Sequence, residues 1–371
     1  MMLKKAVTVF TCGSLVVSGL ALTLLSAARN APAFTLAALA NSVPRTQEEG
    51  DASSLAGTGV ATAGSGTVQP QTAVFPEPGV PMRVAEARNA EIRARQKAAR
   101  GDKPRPFVPV PGGAPARPAD DNPPTEARGG GDGEALAPND MRYFVDHDMT
   151  AAEVPTSQRS TIMEPTTINL GDAIFYTGNW FAAKSTDGGS TFSYINPYTF
   201  FPSVNGGFCC DQVSAYAPAQ DMALWGLQYV DDGTTNTLRI ARAIGSAGIA
   251  SDSWVYYNLT PTLFGFPNGV WFDYPSFTVG ATWLYVSTNA FLTSNNSFAG
   301  NIVIRLRLAD LAAGGSATFN WFRSDIGTER FTEGAGSTMS WGGFLNTTQM
   351  RIHRWADGAG SIFWDNVNLN A

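Results

Sequence analysis

The stretch Ser185-Thr186-Asp187-Gly188-Gly189-Ser190-Thr191-Phe192 carries the strongest indication of fold in this 371-residue chain. Its paired glycines suit a hairpin turn, because glycine adopts the positive φ angles of such turns at little cost. The Asp187 carboxylate can accept hydrogen bonds from backbone N–H groups of its own turn, and the Ser185 and Thr191 hydroxyls add further bonds. The ring of Phe192 is suited to packing between sheets. We therefore expect a structural turn here rather than a catalytic site.

The sequence beyond this stretch has the composition of an all-β domain. From about residue 162 onward, Trp, Tyr, Phe, Val and Ile occur in short alternating runs that Gly, Asn, Asp and Pro separate. Such runs predict strands, because alternate side chains of a strand face opposite sides of a sheet. The candidate strands are residues 173–176, 213–216, 223–229, 237–243, 277–279, 283–288, 302–308 and 361–367.

The candidate strands fall into repeated units of the same order. Each of three units begins with an acid, Glu164, Asp211 or Asp273, and continues with a short strand, an aromatic strand and an outer strand. A fourth unit begins near Met350. This order is typical of four-stranded propeller blades of about 40–50 residues, and a β-sandwich is the alternative.

Several motifs resemble one known family. Residues 185–192 match S-x-D-x-G-x-T-(W/F) at every fixed position and resemble the Asp-box of BNR, sialidase-like β-propellers. Further resemblance to secreted proteins of this type lies in FYTGNW (175–180), GGFCCDQ (206–212), FDYPSF (272–277) and LYVSTN (284–289). The resemblance implies a sialidase-like β-propeller over residues 162–371, with the Asp-box as a turn remote from the ligand face.

The number of blades raises the question of closure. The units of residues 162–371 amount to about four blades, whereas propellers of this type usually close with about six or seven. An open propeller exposes sheet faces to water. We therefore expect that the chain is truncated, that a partner copy completes the ring, or that the blade spacing is unusual. Truncation is the preferred interpretation, because the chain ends directly after the strand-like run 361–367.

Residues 1–40 have the pattern of a secretory signal peptide. A basic start at residues 1–5 precedes an apolar run at residues 6–28, and small residues gather at the end of the run, around residues 26–28. Cleavage between about residues 27 and 40 would give a secreted, extracellular or periplasmic protein with no membrane attachment. An uncleaved membrane anchor is the alternative.

Residues 41–160 differ sharply from the domain that follows. They are rich in Ala, Gly, Pro, Thr and charge, and they are poor in aromatic residues. Such a segment buries too little apolar surface to offset its ordering entropy, which predicts a disordered stalk or pro-region. Within it, residues 84–100 contain good helix formers with mixed charge. They predict a short solvated helix, or a helix that binds a partner or a surface.

The net charge and the small numbers of histidine and cysteine argue against several classes of function. The formal net charge is −6, and the basic residues are not gathered on a recognisable nucleic-acid-binding element. Nucleic-acid binding is therefore not predicted. Two histidines, His147 and His353, are too few for a multi-histidine metal site and argue against a Ser-His-Asp triad. After signal cleavage the cysteines are Cys209 and Cys210, which form either a vicinal disulfide or two buried thiols.

The arginines do not match a sialidase site. Such a site needs several arginines that bind a substrate carboxylate, a tyrosine nucleophile and an acid/base aspartate. The family's early arginine motif is not visible, and the nearest strings, 238–242 and 304–307, are interpreted as outward-facing charges on strands. The family's late tyrosine would fall beyond residue 371. No catalytic residue is assigned.

Three acids at matching positions are the main candidates for ligand binding. Glu164, Asp211 and Asp273 stand at the start of each unit's first strand and would face a central channel if that strand is innermost. Clustered carboxylates could bind Ca²⁺ or sugar hydroxyls, or raise one another's pKa for acid–base work. The alternative is that each acid caps a turn. Trp271 and Tyr274 lie in a turn-rich loop and are candidates for stacking on sugar rings.

Together these features predict a secreted or cell-surface β-propeller that binds glycans or another extracellular partner without a complete sialidase site. The first alternative is an exo-sialidase-like glycoside hydrolase whose catalytic residues are partly missing from the chain. The second is a structural or assembly module that self-associates through the open propeller edge.

Overall fold

The structure is a computed structural model that describes residues 58–72, 82–101, 103, 147–159 and 164–369. The signal peptide predicted at residues 1–40 lies outside these residues, as does much of the predicted stalk.

The described residues form four antiparallel sheets. Sheet I contains β4 (Thr166–Leu170), β5 (Ala173–Thr177), β6 (Ala182–Ser185) and β7 (Ser193–Ile195). Sheet II contains β8 (Phe208–Ala217), β9 (Met222–Tyr229), β10 (Leu238–Ile244), β11 (Val255–Leu259) and β3 (Gln71–Thr72). Sheet III contains β12 (Val270–Val279), β13 (Trp283–Leu292), β14 (Phe298–Arg307), β15 (Ala317–Ser324) and β2 (Gly64–Val68). Sheet IV contains β16 (Arg330–Phe331), β17 (Thr338–Phe344), β18 (Gln349–Ala356), β19 (Ser361–Asn368) and β1 (Thr58–Thr62).

The prediction of an all-β domain is confirmed, and each sheet is built on four consecutive strands. Within the described residues no sheet closes on itself. The α-helices there are α1 (Met82–Arg100), α2 (Gly245–Ala250) and α3 (Leu308–Ala313). The fourth unit was predicted to begin near Met350, but it begins at β16, because the short strand Arg330–Phe331 has too few residues to show an alternating pattern.

The core lies in layers between consecutive sheets. One apolar cluster joins sheets I and II, a second joins sheets II and III, and a third joins sheets III and IV. Strand β9, MALWGLQY, is buried at every position because sheet II is covered on both faces. Strand β5, AIFYT, alternates between buried and half-buried residues. Trp225 on β9 packs against Phe175 of sheet I at a ring-centroid distance of 4.9 Å.

Residues 58–72 correct the prediction of a disordered stalk. They supply the outermost strand of three sheets, because β1 pairs with β19, β2 with β15, and β3 with β11. Their glycines permit close packing: side chains on Gly59 or Gly64 would overlap the indole rings of Trp364 or Trp321. Composition alone indicated disorder, but the open edges of the folded sheets supply the hydrogen-bond partners.

Helix α1 also lies within the predicted stalk. A helix was predicted there, but it is anchored to sheet I rather than only solvated. Asn89 on α1 is buried, and its Nδ2 lies 3.2 Å from the Tyr194 hydroxyl and 3.1 Å from Asn196 Oδ1. The Arg93 guanidinium lies 5.0 Å from the centroid of the Trp180 ring.

Two arginines predicted to face outward are buried between sheets. Arg239 on β10 and Arg305 on β14 are both almost inaccessible to solvent. Each donates from Nε to an asparagine on the next strand, Asn258 at 2.8 Å and Asn320 at 3.0 Å respectively. The pair Arg351–Asn366 repeats this arrangement in sheet IV at 3.0 Å. The prediction failed because alternation cannot distinguish solvent from an aromatic layer in the next sheet.

The Asp187 turn, residues 185–192, connects β6 to β7. Asp187 Oδ1 accepts hydrogen bonds from Ser185 Oγ at 2.7 Å and Thr191 N at 2.9 Å, and Oδ2 accepts one from Thr191 Oγ1 at 2.7 Å. Gly188 and Gly189 have φ angles of 69° and 92°. The turn is thus held by its own polar groups.

The Asp187 turn gives a prediction of pH dependence. Hydrogen bonds from Thr191 and Ser185 lower the pKa of Asp187 from 3.8 to about 2. A lowered pKa stabilises the folded state fully above the unfolded pKa, and the effect is lost as the pH falls through the folded pKa. Asp187→Asn should therefore lower the melting temperature at neutral pH, and the difference from wild type should shrink as the pH approaches 2. Thermal unfolding followed by circular dichroism at several pH values measures this, and a difference independent of pH would contradict it.

Candidate functional site

The first strands of the four sheets lie side by side. Strand β4 contacts β8, β8 contacts β12, and β12 contacts β16. Together they line a channel of about 760 Å³. Its polar lining includes Thr166, Ser214, Ser276, Thr278 and Arg330. Each sheet thus contributes one strand to a shared concave surface.

Irregularities interrupt two of these strands at the acids, each of which lies two residues before a residue that lines the channel. The β8–β9 register shifts between Phe208 and Gln212, and the β12–β13 register shifts between Asp273 and Ser276. Tyr274, within the second shift, has a φ angle of 58°. Bulges redirect side chains and are common beside binding sites. Asp211 therefore lies within the irregular part of β8, and Asp273 is the last paired residue before the irregular part of β12.

Glu164, Asp211 and Asp273 form one group, the acidic mouth, near the start of β4, β8 and β12. Asn179 Nδ2 donates to Glu164 Oε2 at 2.7 Å. Gln228 Nε2 donates to Asp273 Oδ1 at 2.5 Å, and the Tyr274 N–H donates to the same oxygen at 3.0 Å. The structure thus brings the three predicted acids together, and two buried amides fix the orientation of Glu164 and Asp273.

Burial within the acidic mouth shifts the pKa values of Asp211 and Asp273. Burial raises the pKa of Asp211, and the charges of Asp273 and Glu164 raise it further. Burial also raises the pKa of Asp273, although the bonds from Gln228 and Tyr274 act in the opposite direction. Carboxyl groups this close cannot all ionise easily, so the site retains a proton at higher pH than isolated carboxyls would.

Two arginines lie within electrostatic range of the acidic mouth. The charge of Arg100, at the end of α1, lowers the pKa of both Asp211 and Asp273. Gln96 Nε2 holds this end of the helix by donating to the Gly206 carbonyl at 2.8 Å. Burial lowers the pKa of Arg330, and the charge of Glu164 partly offsets this. Neither arginine was identified from sequence, because one lies in the predicted stalk and the other in an unpredicted strand.

A disulfide joins Cys209 and Cys210 beside Asp211. Arg100 Nη2 lies 3.1 Å from Cys209 Sγ. The disulfide occupies the bulge at the start of β8, so a rigid apolar group adjoins the acidic mouth.

The two aromatic candidates have different environments. Trp271 is only 4 % exposed and packs against Phe291, so its predicted role in stacking on a ligand is wrong. A loop was expected at Trp271, but β12 already includes it and turns the ring into the core. Tyr274 is 40 % exposed and adjoins Pro275, which lines the channel. Only Tyr274 stays a candidate for ligand contact.

Asn179 and Gln228 were also missed by sequence reasoning. Asn179 follows Gly178 in the turn between β5 and β6, and Gln228 lies near the end of β9. The glycine before Asn179 is a weak signal of a special turn, but nothing in the sequence indicates which acid each amide contacts.

A metal-binding cluster and a membrane-spanning helix are both absent from the residues that the structure describes. No group of three or more His, Cys, Asp or Glu side chains suited to a metal ion occurs among those residues. None of the helices described is both long and apolar enough to cross a membrane.

Comparisons of this chain with protein-family models, with curated proteins and with solved structures found no match.

Proposed function

We propose that the chain is a four-bladed, sialidase-like β-propeller that binds a neutral glycan at the acidic mouth. The observation that carries this proposal is the convergence of Glu164, Asp211 and Asp273 next to the strand residues that line a channel of about 760 Å³. Buried amides hold two of the acids, Glu164 and Asp273. Ionised carboxylates accept hydrogen bonds from sugar hydroxyls, and a protonated carboxyl can also donate one.

The arrangement of sheets supports the propeller. Four antiparallel meanders stack in chain order, and the first strand of each adjoins the channel. The Asp187 turn, which resembles an Asp-box, lies between the third and fourth strands of sheet I, away from the channel-lining strand β4. Repeated blades around a channel are the defining feature of this architecture.

The three acids favour a neutral ligand over an acidic sugar, and Arg100 and Arg330 offset only part of their negative charge. Carboxylates repel the carboxylate of a sialic acid, which sialidases bind with converging arginines. Arg239 and Arg305 are held in aromatic surroundings between sheets, away from the channel. The disulfide further supports a secreted protein, because disulfides persist in oxidising compartments.

A glycan array with the purified protein tests this function. We expect binding to neutral glycans, with weaker or no binding when sialic acid is the terminal sugar. Asp211→Asn and Asp273→Asn should each weaken binding by about 10-fold or more, because each replaces a carboxyl oxygen that can accept a hydrogen bond from a hydroxyl with an amide NH2 group. The matched control is Asp325→Asn, which removes an exposed carboxylate from the loop between β15 and β16. Failure of the folded wild-type protein to bind any glycan would contradict the proposal.

A second candidate function, glycoside hydrolysis, rests on the raised pKa of Asp211. A general acid must hold its proton near neutral pH, and burial beside other carboxyls favours this state. Reducing sugar released from bound glycans by wild type but not by Asp211→Asn would support hydrolysis. Equal release by both proteins would exclude Asp211 as the acid.

A further inference from the structure

The disulfide between Cys209 and Cys210 cross-links very little of the chain. The two cysteines are neighbours in the sequence, so the bond closes a ring through the single peptide bond between them. A disulfide restricts the unfolded chain less as the loop that it closes becomes shorter, so this bond contributes little to the stability of the domain. Its effect is local, because it fixes the backbone of β8 directly before Asp211.

The segment that contains the disulfide is held at both ends. Phe208 and Gln212 are buried, and each pairs with a residue of β9. Gln212 Nε2 also donates to the Gly178 carbonyl at 2.6 Å. Residues 209–211 lie between these positions, where the register of β8 and β9 is interrupted. A change at the disulfide therefore falls on residues 209–211, and Asp211 is one of them.

The two cysteines differ in accessibility and in charge environment. Cys209 is only 7 % exposed, whereas Cys210 is half-buried. Arg100 Nη2 lies 3.1 Å from Cys209 Sγ. In thiol–disulfide exchange one sulfur is attacked and the other leaves as a thiolate, which a neighbouring guanidinium stabilises. Access favours attack at Cys210, and charge favours the departure of Cys209.

We propose that Cys209–Cys210 is a redox-active disulfide that a dithiol reductant opens, and that its redox state controls the acidic mouth. A thiolate of the reductant attacks Cys210 Sγ, the S–S bond breaks, and Cys209 leaves as a thiolate beside Arg100. The second thiol of the reductant then attacks the mixed disulfide and releases Cys210. The dithiol becomes a disulfide, and its electron pair and protons pass to the two cysteines.

The disulfide is coupled to the acidic mouth in two ways. Asp211 follows Cys210 directly, so separation of the two sulfurs moves the backbone that carries this carboxyl. Arg100 contacts Cys209, and its charge also lowers the pKa of Asp211 and Asp273. A thiolate at Cys209 competes with these acids for Arg100. The consequence for ligand binding rests on the proposed function of the mouth, whereas the opening of the disulfide does not.

Reduction of the folded full chain by dithiothreitol tests the redox activity. Acid quenching, alkylation in denaturant and peptide mapping report the cysteines that are reduced. We expect both Cys209 and Cys210 to be alkylated after reduction, and the disulfide to form again when the reductant is removed. Melting temperatures establish that the protein stays folded. A disulfide that dithiothreitol opens only after the chain unfolds would overturn the proposal.

The role of Arg100 is tested by the rate of reduction. Arg100→Gln should slow it by about 2- to 5-fold, as expected when a partly exposed charge interaction is lost. Lys97→Gln is the matched control, because Lys97 is exposed in the same last turn of α1. Equal rates for the two variants would contradict stabilisation of the departing thiolate by Arg100.

Single cysteine variants test which sulfur is attacked. The thiol of Cys210 in Cys209→Ala should react with a small aromatic disulfide at least about 10-fold faster than the thiol of Cys209 in Cys210→Ala, because Cys209 is buried. The reverse order would show that Cys209 is the sulfur attacked.

Carboxyl ¹³C spectra of the oxidised and reduced protein test the coupling without a ligand. We expect the titration of Asp211 to move to higher pH on reduction, because the Cys209 thiolate competes for Arg100, while exposed Asp325 is unchanged. An unchanged titration of Asp211 would overturn control of the mouth. On a glycan array the reduced protein should bind at least about 5-fold more weakly, the equivalent of one lost hydrogen bond. Failure of the oxidised protein to bind any glycan would contradict the proposed function and leave the redox activity standing.

Discussion

Deletion of residues 58–72 is expected to abolish the cooperative unfolding transition. The deletion removes the outermost strand from sheets II, III and IV at once. It also uncovers the rings of Trp364 and Trp321 and removes buried Val68 from the core. Each lost hydrogen bond costs about 1 kcal/mol and each uncovered apolar side chain about 1.5–3 kcal/mol, and together they exceed a typical net stability of about 5–15 kcal/mol.

Urea unfolding followed by tryptophan fluorescence measures this effect. A synthetic peptide of residues 58–72 added to the deleted chain should restore a transition, because unpaired sheet edges accept an added strand. Gly64→Ala is a milder test: its methyl group would meet the Trp321 ring, and we expect a loss of about 1–3 kcal/mol. Gly358→Ala is the control, since a side chain there meets no atom within 4 Å. A deleted chain that unfolds like wild type would show that the three strands are dispensable.

Arg239→Ala is expected to lower the free energy of unfolding by about 3–5 kcal/mol. The Arg239 guanidinium lies 4.2 Å from the Tyr256 ring centroid and 4.5 Å from that of Tyr229. Nη1 donates to the Tyr229 hydroxyl at 2.6 Å and to the Pro202 carbonyl at 2.9 Å. The alanine variant leaves a cavity and removes the donor for each of these acceptors.

Denaturant unfolding of a short variant series separates the contributions. Arg239→Lys should recover only part of the loss, because an ammonium cannot reproduce the planar array of donors. The exposed Arg307 on β14 provides the control, and Arg307→Ala should change stability by less than about 0.5 kcal/mol. An Arg239→Lys variant as stable as wild type would show that charge alone, without planar geometry, is sufficient.

The sequence predicted the structure correctly where the pattern involves residues that are neighbours in the chain. Strands such as β5 and β13 were predicted because their alternating or aromatic residues lie next to one another in the chain. The acids Glu164, Asp211 and Asp273 were found from their equivalent places in successive units. The amides that orient them, Asn179 and Gln228, were not found, because each belongs to another strand connection whose position depends on the sheet.

The failures share one physical cause. Residues 58–72 have a glycine-rich sequence of low hydrophobicity, and only the exposed edges of distant sheets make strands of them. Arg239 alternates with apolar residues as a surface charge would, but the aromatic side chains of its own and neighbouring segments enclose it. Trp271 is buried because β12 extends back through a stretch that resembles a loop.

The sequence by itself determined that the chain forms antiparallel sheets, that residues 185–192 form a polar turn, and that the units repeat. These properties follow from alternation, turn chemistry and spacing, which operate over a few residues. Only the tertiary structure decided which segments complete the sheet edges, which charges are buried and which acids meet at the channel. Those outcomes depend on hydrogen bonding and desolvation between residues far apart in the chain, and these interactions exist only after the sheets have stacked.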